Sequence, residues 1–329
     1  MRSKASNNIK KFLRDNMAWA ILFVICIVFS FISPNFFSIT NTINILNQNA
    51  YIIIASLGIA FVMLSGQVDL SVGYALSLNG VVSALLLTKL NMSPWIVIIM
   101  SILFGILLSI INMMLSYKMK LQLMMTTIGT MAIFQGLSYV LTQSKTISGF
   151  PKGYKVLGQG YIGPFPIPVI IAFLLVVIVS FILNKTYIGR YVFALGGNEE
   201  AARLAGINIF GMKMFIAIFS GAMVGLASSI LCARLGSIQA NSGAGLEFTI
   251  ITAVLLGGVS VRGGEGKISG VVAGVLILAI LSNGMQLAGL DVYYQFIAKG
   301  IIMLAAIGFD VYQLNRRNII KDTKESKES

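Results

Sequence analysis

The sequence predicts an all-α integral membrane protein with about ten transmembrane helices, and three observations support this fold class. Of the 329 residues, 57% are hydrophobic and only 11% are charged, and the mean hydropathy is +0.89. The hydrophobic residues form long runs of the length that crosses a bilayer. All but one of the basic residues lie outside these runs, and they are concentrated in every second connection between them. A soluble domain of this length has a far more polar composition.

Ten apolar runs are predicted to span the membrane, with boundaries accurate to about three residues. They cover residues 17–33, 50–65, 72–88, 94–116, 123–142, 165–184, 214–233, 247–261, 268–286 and 293–311. This division leaves a basic N-terminal segment at 1–16, a transmembrane domain at 17–311 that includes a polar loop at 185–213, and a charged tail at 312–329. From residue 316 onward the tail has the composition of a disordered segment.

The distribution of positive charge predicts that both termini are cytoplasmic. If the N-terminus is inside, 18 of the 24 Lys and Arg residues fall on the inner side of the membrane. The outer side receives Lys89, Lys145, Lys152, Lys155 and Arg234, while Lys299 lies within a span. Cytoplasmic segments of membrane proteins usually carry this excess. The net charge of +13 therefore indicates topology and does not predict a nucleic-acid partner.

The first apolar run is predicted to be an uncleaved helix, because no small-residue cleavage pattern follows it. After it, the uncharged segment at 33–50 carries turn and capping residues ahead of a short interfacial helix. Cys26 and Cys232 lie in apolar runs, which favours packing roles. The chain has no His, the commonest general base and a major metal ligand. We therefore predict no catalytic or metal site, and an intramembrane enzyme is disfavoured.

The second and third runs are short and are joined by LSGQVDLSVG, from Leu64 to Gly73. Asp69 in this segment has two interpretations. In the first, the segment is a cytoplasmic turn and the carboxylate is solvated. In the second, which we favour because the flanking runs are short, the segment is an unwound break at membrane depth that lines a watery cavity.

A related stretch, LLGGVSVRGG, begins at Leu255 with a constant offset of 191 residues. Spans one to four then match spans seven to ten in the same orientation, which suggests a parallel internal repeat. Chance similarity between Gly-rich and Val-rich stretches is the alternative. If the repeat is real, the two broken segments face each other and mark the central path.

The longest polar segment between apolar runs is KTYIGRYVFALGGNEEAARLAGINIFGMK, at 185–213. Asn198 is predicted to cap a helix of about two turns, from Glu199 to Ala205, with two acids in its first turn and Gly206 at its end. So short a helix is marginal in water and needs a partner surface. From the residues alone, an amphipathic connector on the bilayer and a docking loop fit equally well.

Residues 233–270, ARLGSIQANSGAGLEFTIITAVLLGGVSVRGGEGKISG, contain two further features. Arg234 and Glu247 flank an outer turn, either as a charged pair that closes a gate or as an interfacial ion pair worth about 0–1 kcal/mol. The glycines of GGEGK do not form a phosphate-binding loop, because Val261 and Ile268 occupy positions that require Gly and Ser or Thr. No nucleotide site is predicted, so any ATP that drives the protein binds another chain.

Polar side chains inside the predicted spans are candidates either for contacting a polyhydroxylated solute or for bonding helices together. They are Asn79, Asn112, Gln135, Asn283, Gln286 and Gln295, with Tyr293 and Tyr294 able to stack on a sugar face. Lys299 lies about 9 Å from the outer end of its span, which favours snorkelling to the interface. The outer loop at 143–163 is either a docking surface for an acidic partner or a plain exposed loop.

Several motifs together resemble the ribose-type ABC permease family, in the same order along nearly the whole chain. They are LSGQVDLSVG, GRYVFALGGNEEAARLAGI, ARLGSIQANSGAGLEFTIITAVLLGGVSVRGGEGK, SNGMQL and VYYQFIAKGIIMLAAI. The resemblance implies a multi-pass permease of the bacterial inner membrane that imports a monosaccharide, most closely of the ribose type. It also implies three kinds of partner: a second permease copy, an ABC ATPase subunit that binds ATP and Mg, and a periplasmic or lipid-anchored sugar-binding protein.

The resemblance also implies roles for particular positions. The ATPase-coupling candidates are Asn198, Glu199, Glu200, Ala201, Arg203 and Gly206. The candidates for the translocation path or gate are Asp69, Ser71, Gly73, Gly257, Gly258 and Gly264, to which the span and turn residues Asn79, Arg234, Glu247, Asn283 and Tyr294 are added. The chain departs from the family pattern at Gln67 and in SNGMQ, which leaves the identity of the solute open.

Two other functions fit the sequence. The first is an ABC permease for another small polar solute, such as a nucleoside, a branched-chain amino acid or a furanose signal. The second is a secondary transporter driven by an ion gradient, with Asp69 as the coupling carboxylate. Persistence of transport without any ATPase subunit distinguishes the second from the importer.

Overall fold

The structure is a computed structural model, which describes the backbone of residues 17–328 and the side chains of residues 17–308 and 310–312. The predicted N-terminal segment at 1–16 lies outside the described residues. Thirteen helices account for most of the described chain. They are α1 (Met17–Ile32), α2 (Ile39–Leu64), α3 (Val72–Thr88), α4 (Pro94–Met119), α5 (Leu123–Thr142), α6 (Lys152–Gln159), α7 (Ile167–Lys185), α8 (Tyr187–Gly197), α9 (Glu199–Leu204), α10 (Ile209–Leu235), α11 (Leu246–Leu256), α12 (Ile268–Leu287) and α13 (Val292–Glu328).

An apolar helix occupies each of the ten predicted spans. Seven are long and apolar enough to cross a membrane: α2, α4, α5, α7, α10, α12 and the Val292–Tyr312 part of α13. The other three are shorter, with 16 residues in α1, 17 in α3 and 11 in α11. The all-α membrane fold is confirmed for the described residues, while ten crossings and cytoplasmic termini stay predictions.

Four predicted boundaries are wrong. α10 starts at Ile209, five residues before the predicted start at 214. α2 starts at Ile39, where the Ser38 hydroxyl accepts a hydrogen bond from Asn41 N at 3.2 Å, so the expected separate interfacial helix is the first part of α2. With 26 residues, α2 is about 39 Å long and is not a short span. α11 ends at Leu256, before residue 261. α13 continues to Glu328, so the segment expected to be disordered is helical.

The centre of the fold is built on close contact between α4 and α10. A Cβ atom on Gly225 of α10 would lie 2.7 Å from the Cα atom of Ile102 on α4. Across the same contact, a Cβ atom on Gly105 would lie 2.8 Å from Gly225 N. The Ser101 hydroxyl donates a hydrogen bond to Gly225 O at 2.8 Å. Small residues spaced four apart on both helices allow this approach, as in membrane helix pairs generally.

α3 lies inside the bundle and is buried along its first ten residues, 72–81. The second half of α2, residues 50–64, is buried in the same way. α3 packs on α4, α5 and α10. The Ser228 hydroxyl of α10 donates to Leu76 O at 2.7 Å, and the Ser77 hydroxyl accepts from Gly243 N at the same distance. The α2–α3 pair is therefore enclosed by protein.

The outer loop at 143–163 folds as a cap on one end of the bundle. Its strand β1 (Ile147–Ser148) pairs antiparallel with β4 (Ser237–Ile238), while β2 (Tyr161–Ile162) and β3 (Phe165–Pro166) form a second pair. On α6, Tyr154 is fully buried, and Gly158 abuts the backbone of α10. The loop is thus a packed element, and its role in docking stays a prediction.

Candidate functional site

The 185–213 segment folds as predicted around its cap. Asn198 Oδ1 accepts a hydrogen bond from Ala201 N at 2.9 Å, which begins α9 at Glu199. Gly206, with φ +81°, ends the turn, and its amide donates to Arg203 O at 2.9 Å. Only a residue that tolerates the left-handed region closes a helix this way without strain. The prediction of this short capped helix is confirmed.

α9 presents its polar residues outward and is fixed to its neighbours from below. Ala202 is buried, whereas Leu204 is 83% exposed. The Lys213 ammonium at the start of α10 lies 2.9 Å from Glu199 Oε2 and 3.0 Å from Oε1. Arg203 pairs with Glu200 on the same helix at 3.3 Å, with both side chains mostly exposed. An exposed apolar side chain beside exposed charges on a fixed helix is suited to docking against another protein.

Reversing Lys213 is expected to loosen α9 from α10. The Lys213→Glu change places two carboxylates in contact, and we expect solute uptake to fall severalfold. We expect no loss of protein from the membrane, because Glu199 is 44% exposed and a pair open to solvent on one side contributes about 0–1 kcal/mol to stability. Adding Glu199→Lys restores the attraction and should recover most of the uptake. Uptake in cells with matched protein levels measures this. Equal uptake in all three proteins would mean that the pair does not position α9.

Three backbone segments meet at the end of α8, directly before α9. We call this meeting point the glycine junction, and it consists of Leu64–Gly66, Gly196–Gly197 and Arg262–Gly264. Gly264 N donates to Leu64 O at 2.9 Å. A Cβ atom on Gly196 of α8 would overlap Leu64 O and lie 2.6 Å from Gly264 N. A Cβ atom on Gly66 would lie 3.0 Å from Arg262 O. The segment that carries α9 is thereby packed against the ends of α2 and the α11–α12 loop.

The two loops compared in the repeat hypothesis lie against each other at the glycine junction. This contact is what the repeat predicts. The helices that precede the two loops differ in length, however, with 26 residues in α2 and 11 in α11. The similarity therefore concerns the loops, and matching of the whole spans stays a prediction.

The α11–α12 loop is also tied to α13 through Asp310. Asp310 Oδ2 accepts hydrogen bonds from Val261 N at 3.1 Å and from the Ser260 hydroxyl at 3.3 Å. A carboxylate that receives a backbone amide and a hydroxyl is a strong connection. α9, α8, the glycine junction and α13 therefore form one contiguous series of contacts, which is the physical requirement for mechanical coupling.

Asp69 is 6% exposed, so the interpretation of a solvated turn is wrong. Its Oδ1 atom accepts from Ser71 N at 2.7 Å and from the Ser71 hydroxyl at 2.6 Å. Asn112 of α4 donates to the same hydroxyl at 2.8 Å, and Thr127 of α5 accepts from Leu70 N at 3.1 Å. The 65–71 connection is thus held by α4 and α5.

Gly73 and Glu247 are brought together although 174 positions separate them in the sequence. A Cβ atom on Gly73 would overlap the Glu247 carboxylate and lie 2.6 Å from Gly243 O. Glu247 is 2% exposed, and its Oε1 atom accepts from Gly245 N at 3.1 Å. The start of α3 and the start of α11 therefore touch inside the bundle, as two parts of one path or gate would.

Arg234 and Glu247 do not form the predicted charged pair in the part of the chain that the structure describes. The guanidinium of Arg234 lies 5.6 Å from the ring centroid of Tyr51 on α2, a cation–π contact. Its carbonyl accepts from Gln159 Nε2 of α6 at 2.9 Å. The ten-residue turn carries Glu247 inward to Gly73, away from the outer end of α10 where Arg234 lies.

The remaining candidates occupy different environments. Asn79 is fully buried and exchanges hydrogen bonds with Ser101, at 2.8 Å to the carbonyl and 2.6 Å from the hydroxyl, so it bonds α3 to α4. Asn283 exchanges two hydrogen bonds with Asn41, at 2.9 and 3.0 Å. Both amides serve helix packing in this conformation. Tyr294 is 54% exposed on α13.

The glycines after α11 have two roles. Gly257 packs against α12, where a Cβ atom would lie 2.6 Å from Gly270 C, and this keeps α11 and α12 close. Gly258, at φ +82°, ends α11, and its amide donates to Leu255 O at 2.8 Å. Only Gly264 among the three lies at the glycine junction.

Sequence reasoning missed Lys213, Gly196, Gly197 and Asp310. Lys213 was available as a basic residue beside an acidic helix start, but the fold of the intervening turn decides which acid it meets. Gly196 and Gly197 were visible as a pair, without any indication of the backbone opposite them. Asp310 carried a signal that was not used, since it is a carboxylate near the end of an apolar run.

Comparison with known proteins identifies a family. Residues 41–307 match the family described as branched-chain amino acid transport system / permease component. The ribose import permease protein RbsC of Haemophilus influenzae is 36% identical over 317 residues, which covers 95% of this chain and 98% of that protein.

Relatives named for other sugars show similar coverage. The L-arabinose transport system permease protein AraH of Escherichia coli is 35% identical, over 92% of both chains. The galactose/methyl galactoside import permease protein MglC of Escherichia coli is 32% identical, over 93% of this chain and 96% of that protein. No solved structure matches the chain.

Proposed function

The chain belongs to the family of branched-chain amino acid transport system permease components, in its sugar ABC permease branch, and we propose that it is the membrane-spanning subunit of a binding-protein-dependent importer that carries a monosaccharide inward. It is a multi-pass protein of the bacterial inner membrane. A ribose-type sugar is the favoured solute, because ribose permeases from two organisms, at 36% and 38% identity, are among its relatives.

The observation that carries this proposal is the position of α9 directly after the glycine junction. α9 is an exposed, capped helix whose preceding segment is packed at the glycine junction, so a partner that binds α9 can transmit a movement to the bundle. The junction includes Leu64 at the end of α2 and, through Asp310, reaches α13. A displacement of α9 therefore reaches at least two spans. A membrane subunit that receives work from a separate motor needs this kind of connection.

In the proposed mechanism, ATP and Mg bind a partner ATPase subunit, and this chain contributes no nucleotide-binding residue. Closure of the ATPases on ATP moves α9, and the bundle changes which side it opens to, since ATP binding favours one of two states. A second permease copy completes the membrane part, and a periplasmic or lipid-anchored sugar-binding protein delivers the solute at the outer cap. The chain itself performs no covalent chemistry.

Co-purification tests this function first. The tagged full-length chain, extracted in mild detergent, is expected to co-purify with an ATP-binding subunit that mass spectrometry identifies. A double variant with Glu200→Arg and Arg203→Glu should remain in the membrane but no longer co-purify with that subunit. A chain that emerges alone and transports solute in liposomes on an ion gradient would establish the secondary transporter instead. Uptake of labelled ribose, a nucleoside and a branched-chain amino acid by the assembled complex then decides the solute.

A further inference from the structure

A small cavity lies inside the bundle between α2, α11, α12 and α13. Its volume is about 30 Å³, room for roughly two water molecules. Three neutral polar side chains and one cation line it, together with an aliphatic wall. The lining residues are Asn49, Ile52, Thr249, Ala253, Val275, Leu278, Ala279, Ser282 and Lys299.

Lys299 lines this cavity, and its snorkelling to the interface stays a prediction. It lies seven residues after Val292, about 10 Å along the α13 axis. Among the described side chains, no carboxylate pairs with it. An ammonium group in such surroundings is costly unless water or a ligand solvates it, and ionisable groups within a membrane bundle are usually functional.

The neutral side chains supply acceptors opposite this donor. Asn49 Nδ2 donates a hydrogen bond to Ile45 O at 2.8 Å, which leaves Asn49 Oδ1 as an acceptor. Thr249 donates to Gly245 O at 3.3 Å and retains its lone pairs. The Ser282 hydroxyl both donates and accepts. Solute hydroxyl groups can accept from the ammonium and donate to the neutral acceptors, whereas an ionised carboxylate has no hydrogen to donate to them.

Part of the cavity lining is apolar, in addition to the polar groups. Ile52, Val275 and Leu278 contribute apolar side chains to its lining. A monosaccharide has the same division, with hydroxyls around its edge and C–H groups on its faces. The cavity is too small to admit a sugar ring as it stands. Because α13 packs on α11 and α12 and is tied to the glycine junction through Asp310, a shift of α13 would enlarge it.

We propose that Lys299, with Asn49, Thr249 and Ser282, forms a binding site for a neutral polyhydroxylated solute on the translocation path, closed in this conformation. This inference rests on the proposed function. The ammonium donates hydrogen bonds to solute oxygens, and the three neutral groups accept from solute hydroxyls. A neutral solute forms no ion pair with the ammonium, so its release breaks only hydrogen bonds and it leaves readily, as a transport site requires.

Thiol labelling tests the site independently of which solute is carried. In a chain with Cys26→Ala and Cys232→Ala, single Lys299→Cys and Ser282→Cys variants in the assembled, cycling transporter are treated with a membrane-impermeant maleimide. The matched control is Ile301→Cys, on the same helix but 63% exposed on its outer face. We expect both cavity thiols to react at least about tenfold faster than the control, and 20 mM D-ribose to slow the Ser282→Cys thiol, because that variant retains Lys299. Reaction no faster than the control would overturn the proposal.

Uptake by charge variants tests the role of the ammonium. Lys299→Met should lower uptake at least about tenfold, Lys299→Gln less, and Lys299→Arg least, while co-purification of the ATPase subunit is unchanged. Uptake by Lys299→Met equal to that of an Ile301→Met control would reject the site and leave the proposed function intact. If the parent protein recovers no ATPase and imports no sugar, the proposed function itself fails, so the two failures are distinguishable.

Discussion

Replacing Gly196 with Ala abolishes uptake, whereas the same replacement at Gly197 leaves it near the parent level. This is the expected result because a methyl group on Gly196 overlaps Leu64 O and approaches Gly264 N at 2.6 Å, while one on Gly197 meets open space. Leu64 O and Gly264 N are both backbone atoms, so neither can move aside by a side-chain rotation. Separating the segments breaks the 2.9 Å hydrogen bond between Gly264 N and Leu64 O.

The comparison isolates the contact because both glycines are at the same end of α8 and both changes favour helix equally. The strain of about 1–3 kcal/mol is too small to unfold the protein, so we expect a loss of coupling, not of the chain. Uptake and ATP turnover are measured together in the assembled transporter, where Gly196→Ala should hydrolyse ATP without import. Full uptake by Gly196→Ala would show that the glycine junction does not transmit the movement.

Gly225→Val prevents the bundle from assembling, and Gly129→Val does not. A Cβ atom on Gly225 falls 2.7 Å from the Ile102 Cα atom, more than about 0.8 Å inside normal contact. α4 and α10 must then separate, which breaks the hydrogen bond from Ser101 to Gly225 O. We expect a loss of about 3 kcal/mol or more, roughly a hundredfold in the ratio of folded to unfolded protein.

Gly129 is the matched control, since it also lies inside a helix and a Cβ atom there contacts nothing within 4 Å. The measurement is the monodisperse fraction of fluorescently tagged protein on size exclusion, followed by its thermal midpoint. Gly225→Val should yield aggregated or degraded protein. Equal monodisperse yields from the two variants would contradict the close crossing of α4 and α10.

Local signals in the sequence were sufficient for some parts of this fold. Asn198 and Gly206 define α9 because a cap and a left-handed residue act on their own neighbours, and long apolar runs define spans wherever lipid or protein surrounds them. Distances between residues that are not close in the sequence do not follow from such local signals. Arg234 and Glu247 have opposite charges and lie 13 positions apart, yet the turn between them sends one outward and the other inward.

The site shows the same limit. The depth of Lys299 along α13 follows from residue count, whereas the side chains that it meets depend on which helices α13 contacts. The sequence shows each glycine of the junction, but it does not show which other segment's backbone packs against that glycine. Asp69 was ambiguous for the same reason, since its solvation is decided by Asn112 and Thr127 on α4 and α5.

The enclosure of α3 determines when the protein can finish folding during its synthesis. The hydrogen bond to the Ser77 hydroxyl comes from Gly243 N, 166 residues later in the chain. The hydrogen bond to Leu76 O comes from the Ser228 hydroxyl, 152 residues later. At roughly 5–20 residues per second, the ribosome needs about 8–33 s to supply Gly243. Throughout that interval α3 lies in lipid, or is held by the insertion machinery, with its future protein-facing surfaces bare. A premature stop before residue 243 therefore yields a chain that is inserted but permanently unassembled, a ready substrate for membrane proteases.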